Sequence, residues 1–156
     1  MTTTAAPSQA QQLIRFIRDE IPLADAMDLQ LDGETDDMLC LRAPLPPNVN
    51  DKGCAFGGSL VSLMTLSGWA LVELGLRRRG EDCDVFVAES SVRYLAPLWK
   101  DFRSESRLAE QADWDTFLRT LDTRGRARIE VTSVILGSEG QPAATLSARF
   151  VAKRRT

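Results

Sequence analysis

The chain has 156 residues, of which 44% are hydrophobic and 26% charged, and its formal net charge is -3. This length and composition predict one soluble globular domain with a sizeable core. The slightly negative charge gives no general attraction to nucleic acid or to anionic membranes, so we expect neither as a partner.

The sequence contains no histidine. This excludes Ser-His-Asp and Cys-His nucleophile systems and any histidine general base. Only scattered carboxylates and three cysteines remain as metal ligands, which argues against a metal site. The cysteines, Cys40, Cys54 and Cys83, are odd in number and widely spaced, so we expect no disulfide framework and a reducing cytoplasm.

The N-terminal residues predict a tail followed by a short helix. Residues 1–10 lack the basic and apolar parts of a signal peptide and predict a frayed tail before a single domain over residues 11–153. Residues 11–21 (QQLIRFIRDEI) have the spacing of an amphipathic helix that closes near Pro22.

Two strands and a proline-rich loop follow. Residues 27–31 and 38–41 predict the strands, with a turn at residues 33–37 between them. Three prolines then end the second strand and force an extended loop. They are Pro44, Pro46 and Pro47.

The next segment is almost uniformly apolar. No charged residue occurs between Lys52 and Glu73, and apolar residues fill nearly all faces of a helix. Its length is close to the ~20 residues of a membrane span, but its glycines and hydroxyl residues favour a buried core helix. We place the start near Gly58 and Ser59, with Ser59 as the N-cap, and the end within residues 75–80.

After this helix the apolar period changes from about 3.6 to 2. A helical turn is predicted at residues 113–122 and a hairpin turn at residues 137–140. The segments that alternate as strands are residues 85–95, 102–110, 126–136 and 143–153. This order is typical of an α+β fold, and a helix that is apolar all round needs a long, curved sheet to wrap it, as in the hot-dog fold.

Four segments carry a pattern that resembles a known family. They are NDKGCAFGGSL (50–60), LSGW (66–69), ESSVRYLAP (89–97) and GRARI (125–129). Over roughly residues 13–152 the chain resembles the hot-dog thioesterases of the YiiD C-terminal type. The resemblance implies a homodimer with the sheets joined edge to edge, often assembled further, and substrate tunnels between subunits. It also implies an acyl-CoA or acyl-carrier-protein substrate, with coenzyme A present only as part of the substrate and no other cofactor.

The resemblance also assigns positions. Carried over by position, the family's asparagine is Asn50 and its helix-opening glycines are Gly57 and Gly58. Thr65 occupies the place where acyl-CoA thioesterases of this fold carry an acid, and Phe56 the place where related thioesterases often carry a histidine. Since neither threonine nor phenylalanine can act as an acid or a base, this chain departs at both positions from the mechanism in which a carboxylate activates the water.

Thioester hydrolysis needs charge stabilisation at the carbonyl oxygen and an activated water. Backbone N–H groups at Gly57 and Gly58 would supply the first, because donors at a helix N-terminus lack partners and the dipole there is positive. The missing Cβ atoms would let a substrate carbonyl approach closely. Alternatively, the glycines only allow tight packing.

Three residues are candidates for water activation. Asn50 can orient a water or a carbonyl, and Asp51 is the nearest carboxylate, able to act as a base if its loop folds inward. Alternatively, the two form an Asx turn. Thr65 lies seven residues after Gly58, and its hydroxyl either binds a water or bonds back to the carbonyl of Val61.

Four further residues are predicted to contact the substrate: Phe56, Ser59, Met64 and Glu89. Phe56 and Met64 suit an acyl chain but suit a core equally well. Glu89 interrupts an apolar strand segment, where a half-buried carboxylate with a raised pKa would be a base candidate. Alternatively, Glu89 lies on a solvated outward face.

The sequence therefore predicts a histidine-independent acyl thioester hydrolase of the cytoplasm, forming a homodimer or a dimer of dimers. The alternative is a non-catalytic module that binds acyl thioesters, which the missing helix acid and histidine favour. A hot-dog dehydratase would need a histidine paired with an acid, which this chain lacks.

Overall fold

A computed structural model describes residues 5–156, so the first four residues of the predicted tail lie outside the described residues. The helices are α1 (Gln9–Glu20), α2 (Pro22–Ala26), α3 (Gly57–Arg78) and α4 (Trp114–Arg124), with a 3₁₀ turn at Pro46–Asn48. The strands are β1 (Gln30–Glu34), β2 (Met38–Ala43), β3 (Cys83–Tyr94), β4 (Phe102–Leu108), β5 (Arg126–Leu136) and β6 (Pro142–Arg154).

The strands form one antiparallel sheet in the order β1-β2-β4-β5-β6-β3. The sheet wraps α3, which contacts five strands, β2 to β6, and buries 13 of its 22 residues. This arrangement confirms the predicted α+β hot-dog fold. In length and composition α3 could cross a membrane, but 67% of its most apolar window is buried, as expected of a core helix.

The N-terminal region differs from the prediction in three places, the first being that α1 begins at Gln9, within the predicted tail. Pro22 does end α1, but it also opens α2, because proline is suited to the first helical position, where its missing N–H costs nothing. Met27 and Leu29 are therefore buried in the connection after α2, and β1 begins only at Gln30.

A close contact sets the distance between α3 and the sheet. A Cβ at Gly68 would lie 3.1 Å from the Phe150 ring and 3.3 Å from Val131. The absence of a side chain at this position therefore lets the helix backbone approach β5 and β6 closely.

A cluster of four buried serines joins α3 to the sheet. Ser67 Oγ lies 2.7 Å from Ser104 Oγ and 2.6 Å from Ser106 Oγ, and Ser106 Oγ lies 2.5 Å from Ser133 Oγ. The Met64 carbonyl accepts from Ser67 at 3.1 Å and from Ser133 at 3.2 Å. All four side chains are 0–3% exposed, so these bonds satisfy hydroxyl groups that water cannot reach.

Candidate active site

The N-terminus of α3 is open. The helix begins at Gly57 after the N-cap residue Phe56, whose side chain makes no capping hydrogen bond. The N–H groups of Ser59 and Leu60 donate to the Phe56 carbonyl at 2.9 and 3.1 Å. Among residues 5–156, the N–H groups of Gly57 and Gly58 meet no acceptor. Two free donors therefore face outward at the positive end of a buried helix.

Ser59 is not the N-cap, so that prediction is wrong. It is the third residue of the helix and only 9% exposed. Since a residue without a polar side chain can occupy the N-cap position, the preference for serine there does not locate the helix start. The buried side chain also leaves Ser59 a poor candidate for substrate contact.

Aromatic rings lie against both glycines. Tyr94 Cε1 lies 3.4 Å from the place that a Cβ would take at Gly57, and Phe56 Cε1 lies 2.4 Å from that place at Gly58. The two rings are 56% and 54% exposed. The glycines therefore make room for rings, as the packing alternative requires, while their N–H groups stay free. Tyr94 was missed by sequence reasoning, because its neighbour is 37 residues away along the chain.

Asn50 closes the turn that precedes the helix. Its Oδ1 accepts from the N–H groups of Lys52 at 2.8 Å and Cys54 at 3.2 Å, and its Nδ2 donates to Cys54 Sγ at 3.1 Å. This is the Asx turn of the alternative interpretation. Asp51 stands at the tip of the turn, where its side chain is 79% exposed and pairs with Lys52 at 3.0 Å. Among residues 5–156, neither side chain bonds to the free N–H groups.

Asn48 holds the N-cap residue in place. Its side chain, 2% exposed, donates to the carbonyls of Met27 at 2.9 Å and Pro44 at 2.8 Å. Its own carbonyl accepts from the Phe56 N–H at 2.8 Å. Its Oδ1 is buried without a partner among residues 5–156. Sequence reasoning missed Asn48, because an asparagine after two prolines is typical of an exposed turn.

Thr65 lies between two residues of α3 that contact β3. Along the helix, Gly57, Val61, Thr65 and Trp69 follow one another at intervals of four, so each lies beside the next on the helix surface. Both ends of this series contact β3: Gly57 meets Tyr94, and Trp69 Nε1 donates to a β3 carbonyl, that of Val85, at 2.8 Å. Thr65 is partly exposed between them. The predicted bond back to Val61 is not made within residues 5–156; a similar bond joins the Ser62 hydroxyl to the Gly58 carbonyl at 2.7 Å.

Two of the predicted substrate contacts do not lie at the open helix end. Met64 is 0% exposed and packs in the core, so it cannot line a substrate site without opening the core. Glu89 lies on the outer face of the sheet, where its carboxylate pairs with Arg149 at 3.4 Å and is 74% exposed. The solvated alternative for Glu89 therefore holds.

Burial disfavours two of the three thiols as nucleophiles. All three are buried and unpaired, and burial raises the pKa of the Cys40 and Cys83 thiols. Raised values disfavour the thiolate, which is the nucleophilic form. Among residues 5–156, no three cysteine or carboxylate side chains come together as a metal site would require.

The sequence model of the family described as "Putative thioesterase (yiiD_Cterm)" matches residues 10–154. The chain belongs to this family. The match covers both the open helix end and the asparagine turn before it.

Solved structures agree with this assignment. A Chlorobaculum tepidum protein of unknown function is 27% identical, with a TM-score of 0.88 over 94% of each chain. A Shewanella oneidensis protein, described as the putative thioesterase, is 26% identical, with a TM-score of 0.81 over 91% of this chain and 95% of that one. A Haemophilus influenzae thioesterase, 12% identical with a TM-score of 0.72 over 96% of this chain and 93% of that one, shows the fold alone.

Proposed function

We propose that this member of the thioesterase family hydrolyses acyl-CoA or acyl-carrier-protein thioesters to an acid and a free thiol. The observation that carries the proposal is the pair of free N–H groups, at Gly57 and Gly58, on an uncapped helix of 22 residues. A capping side chain normally accepts from the N–H of the second or third helical residue, so its absence leaves the Gly58 N–H as free as that of Gly57 to bind a ligand oxygen.

In the proposed reaction, the thioester carbonyl oxygen accepts hydrogen bonds from both N–H groups. Water attacks the carbonyl carbon, and the negative charge that develops on the oxygen lies at the positive end of α3. Collapse of the tetrahedral intermediate re-forms the carbonyl and breaks the carbon–sulfur bond. The thiol leaves with a proton, and the acid remains.

We propose that a second copy completes the site. β3 is a strand of 12 residues at the edge of the sheet, and its free edge exposes Phe86 (60%), Val87 (46%) and Tyr94. A long, exposed edge strand invites pairing with another strand, so two copies would pair through β3. Asp51, exposed at its turn, would reach the helix end of the other protomer and act as the base. Thr65 would hold the water between α3 and β3.

We also propose a cytoplasmic setting, in line with the three unpaired cysteines. Coenzyme A would enter only as part of the substrate, with no metal, and with neither nucleic acid nor membrane as a partner. Pairing of the dimers into a tetramer stays a prediction.

The second candidate function is a non-catalytic module that binds acyl thioesters. It is favoured by Thr65, which stands where a carboxylate would be expected, and by the absence of any bond that brings Asp51 to the helix end within one protomer.

The proposal is tested by thiol release from a panel of acyl-CoA thioesters with Gly57→Pro and Gly57→Ala. Proline removes one free N–H and is tolerated at the first helical position, and Phe56 already has the extended backbone that precedes proline (φ -69°, ψ 131°). Alanine keeps the N–H. Loss of one oxyanion donor typically costs about 10²–10³ in kcat, so Gly57→Pro should lose that much more than Gly57→Ala.

Equal activity of the two variants would refute the oxyanion role. Asp51→Asn tests the base, with an expected loss of about 10²–10⁴. If no variant and no substrate gives thiol release, while calorimetry detects acyl-CoA binding, the binding module is the correct function. Circular dichroism and thermal unfolding check that each variant is folded.

A further inference from the structure

Two pairs of cations face each other across neighbouring strands on the outer face of the sheet. Within residues 5–156 they are Arg42 with Arg103, on β2 and β4, and Arg126 with Lys153, on β5 and β6. All four side chains are exposed. Directly opposite residues have Cβ atoms about 4.5–5.5 Å apart, so like charges at such positions repel and destabilise the strand pairing. An anion between the two cations relieves this repulsion.

The first pair receives its anion from the chain itself. Asp32 of β1 lies beside both guanidinium groups: its Oδ2 accepts from Arg103 Nε at 2.6 Å, and its Oδ1 lies 3.5 Å from Arg42 Nη1. One carboxylate thus bridges two cations that stand opposite each other. This arrangement shows what the second pair would require.

The second pair has no such carboxylate. Within residues 5–156, neither Arg126 nor Lys153 forms an ion pair, and neither does Arg128, which follows two residues after Arg126 on the same face. Asp84 stands opposite Lys153 on its other side, but the Asp84 carboxylate binds Arg155 at 2.8 Å. Three exposed cations therefore share a small area without an anion from the chain.

The surrounding acids are engaged elsewhere and limit the size of this cluster. Glu130 pairs with Arg149 at 3.4 Å, and Arg154 binds Glu81 at 2.9 Å and Asp122 at 2.5 Å. The cluster is thus a small positive area bounded by carboxylates. An extended polyanion would meet those carboxylates, whereas a compact anion of high charge would not.

We propose that Arg126, Arg128 and Lys153 bind a phosphate group of a small molecule, which takes the place that Asp32 has in the other pair. A phosphate monoester carries about -1.5 to -2 charges and three acceptor oxygens, so it matches several cations better than a single carboxylate does. Guanidinium groups bind phosphate through two parallel hydrogen bonds, and an ammonium group binds it as a point charge.

The phosphate has two possible sources: the nucleotide end of a coenzyme A substrate, or a free phosphate ester. The first source rests on the proposed function. Within one protomer the cluster is far from Gly57, because β6 brings it to the start of β3, whereas the other end of this 12-residue strand, about 36 Å away, lies against Gly57. In an antiparallel pairing of two copies through β3, the start of one strand lies beside the end of the other, so the cluster of one copy would approach the helix end of its partner.

The test is the Kd of adenosine 3′,5′-bisphosphate, measured by calorimetry at constant ionic strength in wild type, Arg126→Gln and Lys153→Gln. Arg42→Gln is the matched control, because it removes the same charge from the pair that Asp32 already bridges. Each cluster variant should raise Kd by about threefold to tenfold, as expected for an exposed charge-assisted contact, while the control leaves Kd unchanged. Equal Kd values in wild type and both cluster variants would overturn the proposal.

Thermal unfolding gives a second readout. In chloride buffer the cluster variants should melt at or above the temperature of wild type, because each removes a repulsion. The bisphosphate should raise the melting temperature of wild type more than that of the variants. Variants that melt earlier in chloride would show that these cations make stabilising contacts within the protein, and a change of oligomeric state in light scattering would make them interface residues. Either result contradicts the proposed site.

A comparison of substrates identifies the source of the phosphate. We would measure thiol release from the fastest acyl-CoA of the panel and from its dephospho form, which lacks the 3′-phosphate. A higher KM for the dephospho form, in wild type but not in the Arg126→Gln, Lys153→Gln double variant, assigns the site to coenzyme A. Equal KM values, with the bisphosphate still bound, assign it to a free phosphate ester. If wild type releases no thiol, the hydrolase function fails, and the Kd values alone decide the phosphate site.

Discussion

The two ends of α3 are built in opposite ways. At the C-terminal end, Arg79 donates to the Gly75 carbonyl at 2.9 Å, and the N–H of Glu81 donates to the Leu76 carbonyl at 3.0 Å. Gly80 supports this closure with a left-handed backbone (φ +74°). The last carbonyls of the helix, those of Gly75, Leu76 and Arg77, thus accept hydrogen bonds. Three arginines lie at the negative end of the helix dipole, where positive charge is stabilising.

The N-terminal end has none of these features. Its N-cap residue is apolar, and the first two N–H groups are free among residues 5–156. The chain could have placed a serine or aspartate there, as it does at α1 and α4. The C-terminal end of the core helix is thus stabilised by hydrogen bonds to its last carbonyls, whereas the N-terminal end lacks the stabilisation that a capping side chain would give. Four experiments would break or sharpen this contrast.

The largest effect on stability is expected from Met64→Ala, which tests whether the substrate site extends from the open helix end into the core. Met64 is fully buried, so truncation should lower the free energy of unfolding by about 2–5 kcal/mol through lost burial and a cavity. Denaturant unfolding measures this. The preference among acyl groups should stay the same; a stable variant with a changed preference would return Met64 to the substrate site.

Two glycines of α3 whose Cβ would overlap a ring form a matched pair. A Cβ would lie 2.3 Å from Trp114 at Gly75 and 2.4 Å from Phe56 at Gly58. Trp114 is held against Phe117 and beneath Arg79, whereas the Phe56 ring is half exposed and can swing away.

Gly75→Ala should therefore lower the free energy of unfolding by about 1–3 kcal/mol through overpacking, and the higher helix propensity of alanine should offset part of this loss. Gly58→Ala should be neutral or gain up to about 1 kcal/mol. Urea unfolding of the two variants decides; equal losses would show that the two ends are equally rigid.

Capping the open end should raise stability and lower activity together. In Phe56→Asp the carboxylate would accept from a first-turn N–H and stabilise the helix by about 1 kcal/mol. The same bond would compete with the substrate oxygen, so thiol release should fall further than in Phe56→Leu. A capped variant that is more stable and fully active would contradict the oxyanion role.

The smallest effect concerns a cap that already exists. Asp113 caps α4, where its carboxylate accepts from the Thr116 N–H at 2.8 Å and the Thr116 hydroxyl at 2.9 Å. These bonds lower the pKa of Asp113. Since the folded pKa lies below the unfolded value, the stabilisation is present above about pH 4 and is lost as the pH falls through the folded pKa.

Asp113→Ala should therefore be less stable than wild type at neutral pH, and the difference in melting temperature should shrink on acidification. A difference that grows at low pH would contradict this account of the cap.

Local patterns in the sequence predicted most of the fold. β5 alternates along its length because one face packs on α3 and the other meets solvent, so its period of two is visible in the residues themselves. The helix and strand order, together with the all-round apolar helix, was enough for the hot-dog architecture. α2 was not predicted, because a proline that closes one helix can also open the next.

The face of Glu89 could not be predicted from alternation. Val85 and Val87 pair with the buried Ala152 and Phe150, so strict alternation would place Glu89 on the same inner face of the sheet. A β-bulge between Val87 and Glu89 adds one residue, which moves Glu89 to the outer face and brings Ser90 opposite the buried Ala148. The bulge depends on the pairing of β3 with β6, so it cannot be predicted from the local sequence of β3.

The site was predicted in part for a related reason. Gly57 and Gly58 lie where the sequence placed them, because glycines beside a helix start are visible locally. Met64 was misjudged, since on an all-round apolar helix the periodicity does not separate core from surface. The contacts of Asn48 and Tyr94 join distant segments, so they required the folded chain.

The buried serines have a consequence for the alignment of α3. Hydrophobic contact has no direction, so an apolar helix in an apolar trough could slide along its axis at little cost. Hydroxyl bonds have direction and short reach, and those from Ser67 to Ser104 and Ser106 fix the helix at one axial position on β4. Together with the bond from Trp69 Nε1 to the Val85 carbonyl, the cluster holds α3 in register with the sheet, and with it the position of the Gly57 and Gly58 N–H groups.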